Sequence, residues 1–496
     1  MRINFHNNNH HWWVLGTVSI GIFMATLDAS IVNISLPAIM ADFKASLAVS
    51  EWIVLSYLLV ITGLLLPFGR LADMTGRKKI YRLGFVLFSL GSGLCALSQN
   101  PAQLIFFRAL QAVGAAMLMS NSFAIITAVF PPEKRGRALG IVGTVVATGF
   151  TVGPSLGGFL VTAFGWRSIF YINLPVGLVG LIMTTTILNE RLVSPTLGQK
   201  KSFDFLGAAL IIIGLSALLL GLTTGQAGRW GTPLVVFELA LAAVTLALVP
   251  IWEAKTAQPL IDLTLFNNRI FSFGNLAGFL SFLAISTNAF LMPFFLQLAL
   301  GYSPLEAGLL MTPTALTIAI VAPISGWLSE RTDPRILSTL GLAINSSALF
   351  WLSLLKVQSG YHDVLIRLVL LGIGQGLFQS PNNSSVMGSV SRHNLGIAGG
   401  FLSLMRSVGQ VVGIALAGSI LAGTMVNVTG HASFQALHAG DSAAQRAPVL
   451  AAFMQGMYHA YLVAALICFL GMWTSLVRGK RDTAIAESPS RGSSSG

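Results

Sequence analysis

Apolar residues run through this chain in blocks of roughly 20, the length of helix that crosses the hydrocarbon core of a bilayer, with short polar breaks between them. Fourteen blocks are found, at about 13–36, 52–69, 81–98, 103–130, 138–162, 168–188, 205–224, 234–252, 270–299, 305–328, 337–355, 363–387, 397–423 and 451–477. The pattern predicts an all-α integral membrane protein with fourteen spanning helices. The first block is too long for the apolar core of a signal peptide and no small-residue cleavage site precedes Pro37, so it is expected to remain as a helix.

Composition agrees with the pattern. Of 496 residues 54% are hydrophobic and only 9% charged, too few charges to wet the surface of a soluble protein. The net charge of +12 would suit a nucleic-acid partner, but the positions of the basic residues decide against one. Twenty-one of the 29 Lys and Arg residues fall on one side of the predicted topology, among them Arg70, Arg77, Lys78, Lys79 and Arg82. By the positive-inside rule that side is cytoplasmic and holds both termini. Cys95 and Cys468 lie inside apolar blocks and read as packing residues, with no metal site or disulfide framework.

The chain also repeats itself. Gly69, Leu71 and Asp73 return 257 residues later as Gly326, Leu328 and Glu330, and Gly149, Gly153 and Gly157 return 260 residues later as Gly409, Gly413 and Ala417. Two echoes at nearly one offset predict two six-helix bundles related by a pseudo-two-fold axis, at 13–188 and 270–477. A cytoplasmic N-terminus (1–12), linkers with two additional helices (189–269, helices at 205–224 and 234–252) and a disordered cytoplasmic tail (478–496) complete the expected organisation.

A charge inside the bilayer costs on the order of 2.5 to 3.5 kcal/mol on insertion scales, so each one is a candidate functional group. Asp28 lies about 13 Å along its helix from Pro37, and Arg108 about 10 Å from Pro101 on a helix entering from the same side. Asp28 is read as the only acid deep within the two bundles. If both face one cavity, the arginine favours the charged carboxylate while desolvation opposes it, which makes a switchable proton carrier. The alternative is a permanent ion pair that locks the first and fourth helices together. Glu238, about five residues past Pro233, is shallow enough for a structural or solvated role.

A substrate path needs apolar and aromatic surface with a few polar groups. Candidate wall residues are Tyr57, Gln111 and Asn121 in the first half, and Phe282, Asn288, Phe290 and Gln297 on the ninth block. Gln375, Gln379, Asn382 and Asn383 on the twelfth, with Arg406 and Gln410 on the thirteenth, complete the set. The four amides within nine residues predict a wet or ligand-filled face, because a buried amide must find partners.

Several segments resemble those of a known family. GRLADMTGRKK (Gly69 to Lys79) looks like the cytoplasmic motif A of the major facilitator superfamily. Gly149 with Gly153, Pro154, Gly157 and Gly158 is similar to the antiporter motif C. The first-block stretch from Leu27 to Pro37 resembles the signature of the fourteen-helix drug:proton antiporters, as do WRSIFYINLPVG and LGYSPLEAGL. Motif B, usually Arg-x-x-Gln-Gly, is here Arg108-Ala-Leu-Gln111-Ala112. The resemblance implies a latch at Gly69, Asp73, Gly76 and Arg77, and a leak-sealing glycine stripe at motif C.

No phosphate-binding loop Gly-x-x-x-x-Gly-Lys-Ser/Thr and no nucleophile–base constellation is present, which sets aside ATP-driven transport and enzymatic chemistry. The resulting expectation is a multi-pass exporter of the cell inner membrane, without cofactor, that sends small lipophilic substrates such as antibiotics outward in exchange for protons. A dedicated exporter of one metabolite, siderophore or lipid on the same machinery is the alternative, and a periplasmic adaptor protein is a potential partner. With one deep acid, dications are expected to fit poorly.

Overall fold

The computed structural model describes residues 10–194, 204–225, 230–256, 263–329, 331–390, 395–429 and 443–479. Of the predicted terminal segments 1–12 and 478–496, residues 1–9 and 480–496 lie outside the described residues. Every apolar block coincides with a helix, and there is no strand among the described residues. In the first half these are α1 (His10–Phe43), α2 (Leu47–Thr75), α3 (Arg77–Ala96), α4 (Pro101–Val129), α5 (Pro132–Phe164), the short α6 (Ser168–Tyr171), α7 (Asn173–Ile187) and the turn-long α8 (Glu190–Val193). Then come α9 (Phe205–Thr224) and α10 (Pro233–Glu253), followed by α11 (Arg269–Phe294), α12 (Pro304–Leu328), α13 (Pro334–Ser353), α14 (Tyr361–Gly388), α15 (Leu395–Thr429) and α16 (Ala443–Val477).

Among the described residues thirteen spans are long and apolar enough to cross a membrane. The remaining predicted helix, α3, is formed but is not one of these thirteen, because its first six residues include Arg77, Lys78, Lys79 and Arg82. Exposed Leu90, Phe106, Phe164, Ile213, Phe237 and Ile320 belong to the apolar outer surface that lipid requires.

Helices α1–α7 pack among themselves, as do α11–α16, and the two sets meet along α2–α15 and α5–α12. The duplication is visible in close backbone contacts. Gly84 of α3 crosses Gly114 of α4, and Gly341 of α13 crosses Gly374 of α14, where a Cβ on Gly374 would sit 2.8 Å from the Gly341 carbonyl. Small residues at a crossing let two backbones approach this closely. The pair α9–α10 rides outside the α2–α15 seam: Ser419 Oγ donates to the Leu222 carbonyl at 2.8 Å, and Gly63 leaves room for Ile212.

The α2–α3 turn carries Arg70, Arg77, Lys78, Lys79 and Arg82, and we call its side of the molecule the basic face. The turn depends on Gly76 at φ +108°, a left-handed conformation that an L side chain strains to adopt. Glu190 closes over it, its Oε1 accepting from the Lys78 amide at 3.2 Å at the start of α3. Ser194 donates to the same Oε1 at 2.6 Å and accepts from the Arg77 amide at 2.9 Å. The predicted linker therefore begins with a helical turn docked on the α2–α3 corner.

On the face opposite the basic one the two halves are shut. Gly158 of α5 packs against Pro304 and Leu305 of α12, and Gly308 packs against Pro154 and Ser155. Gln297, in the π-helical turn Phe295–Ala299 that follows Pro293, donates to the Ile34 carbonyl of α1 at 2.8 Å.

Two outcomes test this packing. Gly76→Ala is expected to cost more than about 1 kcal/mol from the left-handed conformation alone, and part of the remaining cost should vanish on a Glu190→Ala background, read as thermal unfolding of the four-member cycle. Gly308→Leu overpacks the α5–α12 crossing by about 1–3 kcal/mol. It should raise thiol labelling, from the opposite face, of a cysteine placed at Ala29; unchanged labelling would mean that this crossing does not seal that face.

Candidate functional site

About half of the predicted site residues fall in two regions: a sealed polar network inside the first helix set, and a cavity between the two sets.

The network is built around Asp28. Arg108 and Gln111, three apart on α4, share the helix face turned toward α1. Arg108 Nη1 donates to Asp28 Oδ2 and, at 2.7 Å, to Gln111 Oε1, while its Nε reaches the Ile53 carbonyl of α2 at 3.2 Å. Asp28 Oδ1 accepts from Gln111 Nε2 at 2.8 Å and Asn173 Nδ2 at 2.9 Å. Ser92 Oγ of α3 accepts from the same two amides at 2.7 and 2.8 Å, which fixes both. The guanidinium stacks 4.0 Å from the centre of the Tyr57 ring, and Tyr57 donates to the Ala25 carbonyl at 3.1 Å. Asp28, Arg108, Gln111, Ser92 and Tyr57 are all fully buried.

Asp28 and Arg108 are thus together, as their depth predicts, but they do not face an open cavity. Tyr57 and Gln111, expected in the cavity wall, belong to this network instead. Asn173 and Ser92 were missed: each is one of several uncharged polar residues in its apolar block, and the break at Ile172 between α6 and α7 precedes Asn173 where it meets the carboxylate. Asp28 is also not alone as a buried acid. Glu51, in the first turns of α2, is fully buried where α2 meets α15, and its carboxylate fills the space that a side chain on Gly418 would need.

Motif C runs along α5 against α1. Gly149 faces Thr26, Gly153 faces Ser30, and Gly157 faces Ile31 and Ile34; Ser30 Oγ donates to the Gly149 carbonyl at 3.1 Å. The stripe therefore seats α5 on the helix that carries Asp28, while Pro154 and Gly158 on its other side touch α12. The echo repeats the arrangement, with Gly409 and Gly413 of α15 on Phe279 and Leu283 of α11. In motif A, Arg77 pairs with Asp73 at 2.8 Å and donates to the Ala124 and Val193 carbonyls at 3.0 Å each. Gly69 is only loosely packed, its nearest neighbour being Ser120.

The cavity lies between the two helix sets, with a volume of about 1240 Å³ including its open mouth. Of the predicted wall residues Phe282, Asn288, Gln375, Gln379, Arg406 and Gln410 line it, and Pro154 reaches it from motif C. Ser30 and Asn33, one turn or so beyond Asp28, line it too. Five other predictions are not part of the wall. Asn121 turns back onto the Met117 carbonyl, Phe290 is core packed on Phe294, and Gln297 joins the halves as described. Asn382 accepts from Arg478 at 3.0 Å and Asn383 is exposed, so only the first two of the four α14 amides share the cavity face. Arg478 itself, expected in a cytoplasmic tail, is buried, which pulls its pKa down to about 10.

Comparison with known proteins agrees with this architecture. The chain is 35% identical over 476 residues to the riboflavin transporter RibZ of Clostridioides difficile, covering 96% of this chain and 99% of that one. It is 35% identical to the multidrug resistance protein Stp of Mycobacterium tuberculosis (81% of this chain, 74% of that). It is 31% identical to the tetracenomycin C resistance and export protein of Streptomyces glaucescens (84% and 77%). A bacterial homologue of the human lysosomal transporter Spinster, solved inward-facing and unoccupied, superimposes with a TM-score of 0.68 at 19% identity over 96% of this chain and 100% of that one. The family model described as Major Facilitator Superfamily matches residues 18–414 and 274–493. With helices, crossings and relatives all in agreement, this multi-pass membrane protein belongs to the major facilitator superfamily of transporters and is not an enzyme.

Proposed function

We propose that the chain is a proton-coupled antiporter of the fourteen-helix drug-exporting type, moving small amphipathic compounds out of the cell across the inner membrane. The observation that carries this reading is the Asp28 carboxylate, buried in a site with one arginine and two amide donors. Removing one partner of a buried ion pair is costly, about 3–5 kcal/mol, so neutralising Asp28 has to change what Arg108 and its helix contact. Ser30 and Asn33 carry any movement of α1 directly into the cavity wall.

The basic face is read as cytoplasmic, with both termini there. The closed contacts at Gly158, Gly308 and Gln297 then belong to an inward-facing state, with Asp28 ionised and substrate admitted from the cytoplasm. Sliding α5 on its glycine stripe along α1 opens the other side. Asp28 lies nearer that side, takes a proton there as substrate leaves, and returns neutral. Motif A holds the basic end of the first helix set together during the swing, through the Asp73–Arg77 pair and the Ala124 carbonyl. Relatives named for multidrug resistance and for tetracenomycin C export support the export direction. The near end-to-end match to a transporter named for riboflavin supports a second reading, one dedicated metabolite on the same machinery.

The test is transport in inverted vesicles under an imposed proton gradient, screening drugs and flavins. Asp28→Asn should fold, retain substrate exchange between equal pools, and lose gradient-driven accumulation at least tenfold. Accumulation at the wild-type rate in that variant would sink proton coupling through Asp28.

A further inference from the structure

We infer that the cavity is built for an amphiphile carrying one anionic group, a carboxylate in the simplest case, held by Arg406. The inference rests on the transporter reading above for what the cavity is, but not on what drives transport.

Arg406 is the only charged residue of the cavity wall, and no Asp or Glu lines it among the described residues. The carboxylate one would expect to neutralise it, Asp28, is already taken by Arg108 and sealed away from the cavity. Among the described residues the Arg406 guanidinium has a single long hydrogen bond, from Nη2 to Ser403 Oγ at 3.4 Å, and a distant ring contact, 5.9 Å from the centre of Phe282. A cation on a transmembrane helix with four of its five N–H donors unused is an arrangement that a bound anion completes.

A second group points the same way. Gln375, 2% exposed, uses its Oε1 to accept from Ser281 and Asn345 at 3.1 and 2.9 Å, yet its Nε2 has no partner although the side chain lines the cavity. Thr314 Oγ1, on the α12 wall, is likewise without a partner. The second-half wall thus offers unspent donors and a positive charge. Apart from neutral polar groups such as Asn288, Gln379 and Gln410, the rest is apolar surface, with Phe150, Met311 and Ile318 supplying a bed for a hydrophobic body. On the facing wall Asn33 Oδ1 is an acceptor without a partner. A ligand with an anionic head toward Arg406 and Gln375, an apolar or aromatic body, and a donor toward α1 meets each of these groups; a cation at the same place meets like charge.

The experiment uses the full chain in nanodiscs of neutral phosphatidylcholine, with three probes that share one ring system: 1-pyrenebutyric acid, its methyl ester, and pyrenebutyl-trimethylammonium. Binding is read by energy transfer from the protein's tryptophans, with empty nanodiscs subtracted. Wild type should bind the acid at least tenfold tighter than either the ester or the cation. Arg406→Gln should bring the acid to the level of the ester, with a circular-dichroism spectrum like that of wild type reporting that the variant is folded. Arg406→Lys should keep a preference for the acid, and Gln375→Leu should reduce it about threefold. Equal binding of acid and ester by wild type, or a preference that survives in Arg406→Gln, overturns the inference. The ratio of acid to ester binding should persist in Asp28→Asn, whatever happens to the absolute affinity; this readout needs no gradient, so a failure of proton coupling leaves it untouched.

Discussion

The contact on which the rest of this molecule depends is the ion pair between Asp28 and Arg108. Burying two charges in a bundle of apolar helices is unfavourable unless their remaining valences are met, and here the surrounding helices meet all of them but Arg108 Nη2, which has no hydrogen-bond partner among the described residues. Gln111 and Asn173 supply amide donors to one carboxylate oxygen, Ser92 orients both amides, and Tyr57 covers the face of the guanidinium. Helices α1, α2, α3, α4 and α7 all contribute. The pair therefore fixes their mutual rotation, and changing its charge acts on five helices at once.

The second half has the same architecture without the charge. Ser281 of α11, Asn345 of α13 and Gln375 of α14 form a neutral hydrogen-bonded cluster on the helices that correspond to α1, α3 and α4. Duplication thus leaves a charged set of helices that can respond to a proton and a neutral set whose polar groups can serve the cavity. Arg406 is the exception that gives the cavity a sign. The glycine stripe of motif C lies between these two functions, with the Asp28 helix on one side and α12 on the other.

The fold was legible because a bilayer imposes one length on every helix, and the closeness of Asp28 and Arg108 because depth follows from the helical rise. Rotation about the helix axis was not. These helices are apolar nearly all round, so residue periodicity does not say which side faces the cavity. Tyr57 and Gln111 read equally well as wall or as network, and Asn121 and Asn382 turned out to serve a backbone carbonyl and Arg478. Gln375 and Gln379, four apart, kept one face; Asn382 and Asn383 fell on others. Asn173 gave almost no signal, because its role arises from a helix break and not from any local pattern. Glu51 sits near a helix end in the sequence, and only the meeting of α2 with α15 buries it.

Proton coupling through Asp28 requires the carboxylate to change its protonation as the transporter changes state. It is tested most directly by proton release from the purified protein in weakly buffered solution, followed with a pH-indicator dye, when a transported compound is added. Release of about one proton per chain is expected, since binding favours the ionised state, and none from Asp28→Asn. Equal release by the two proteins would contradict it.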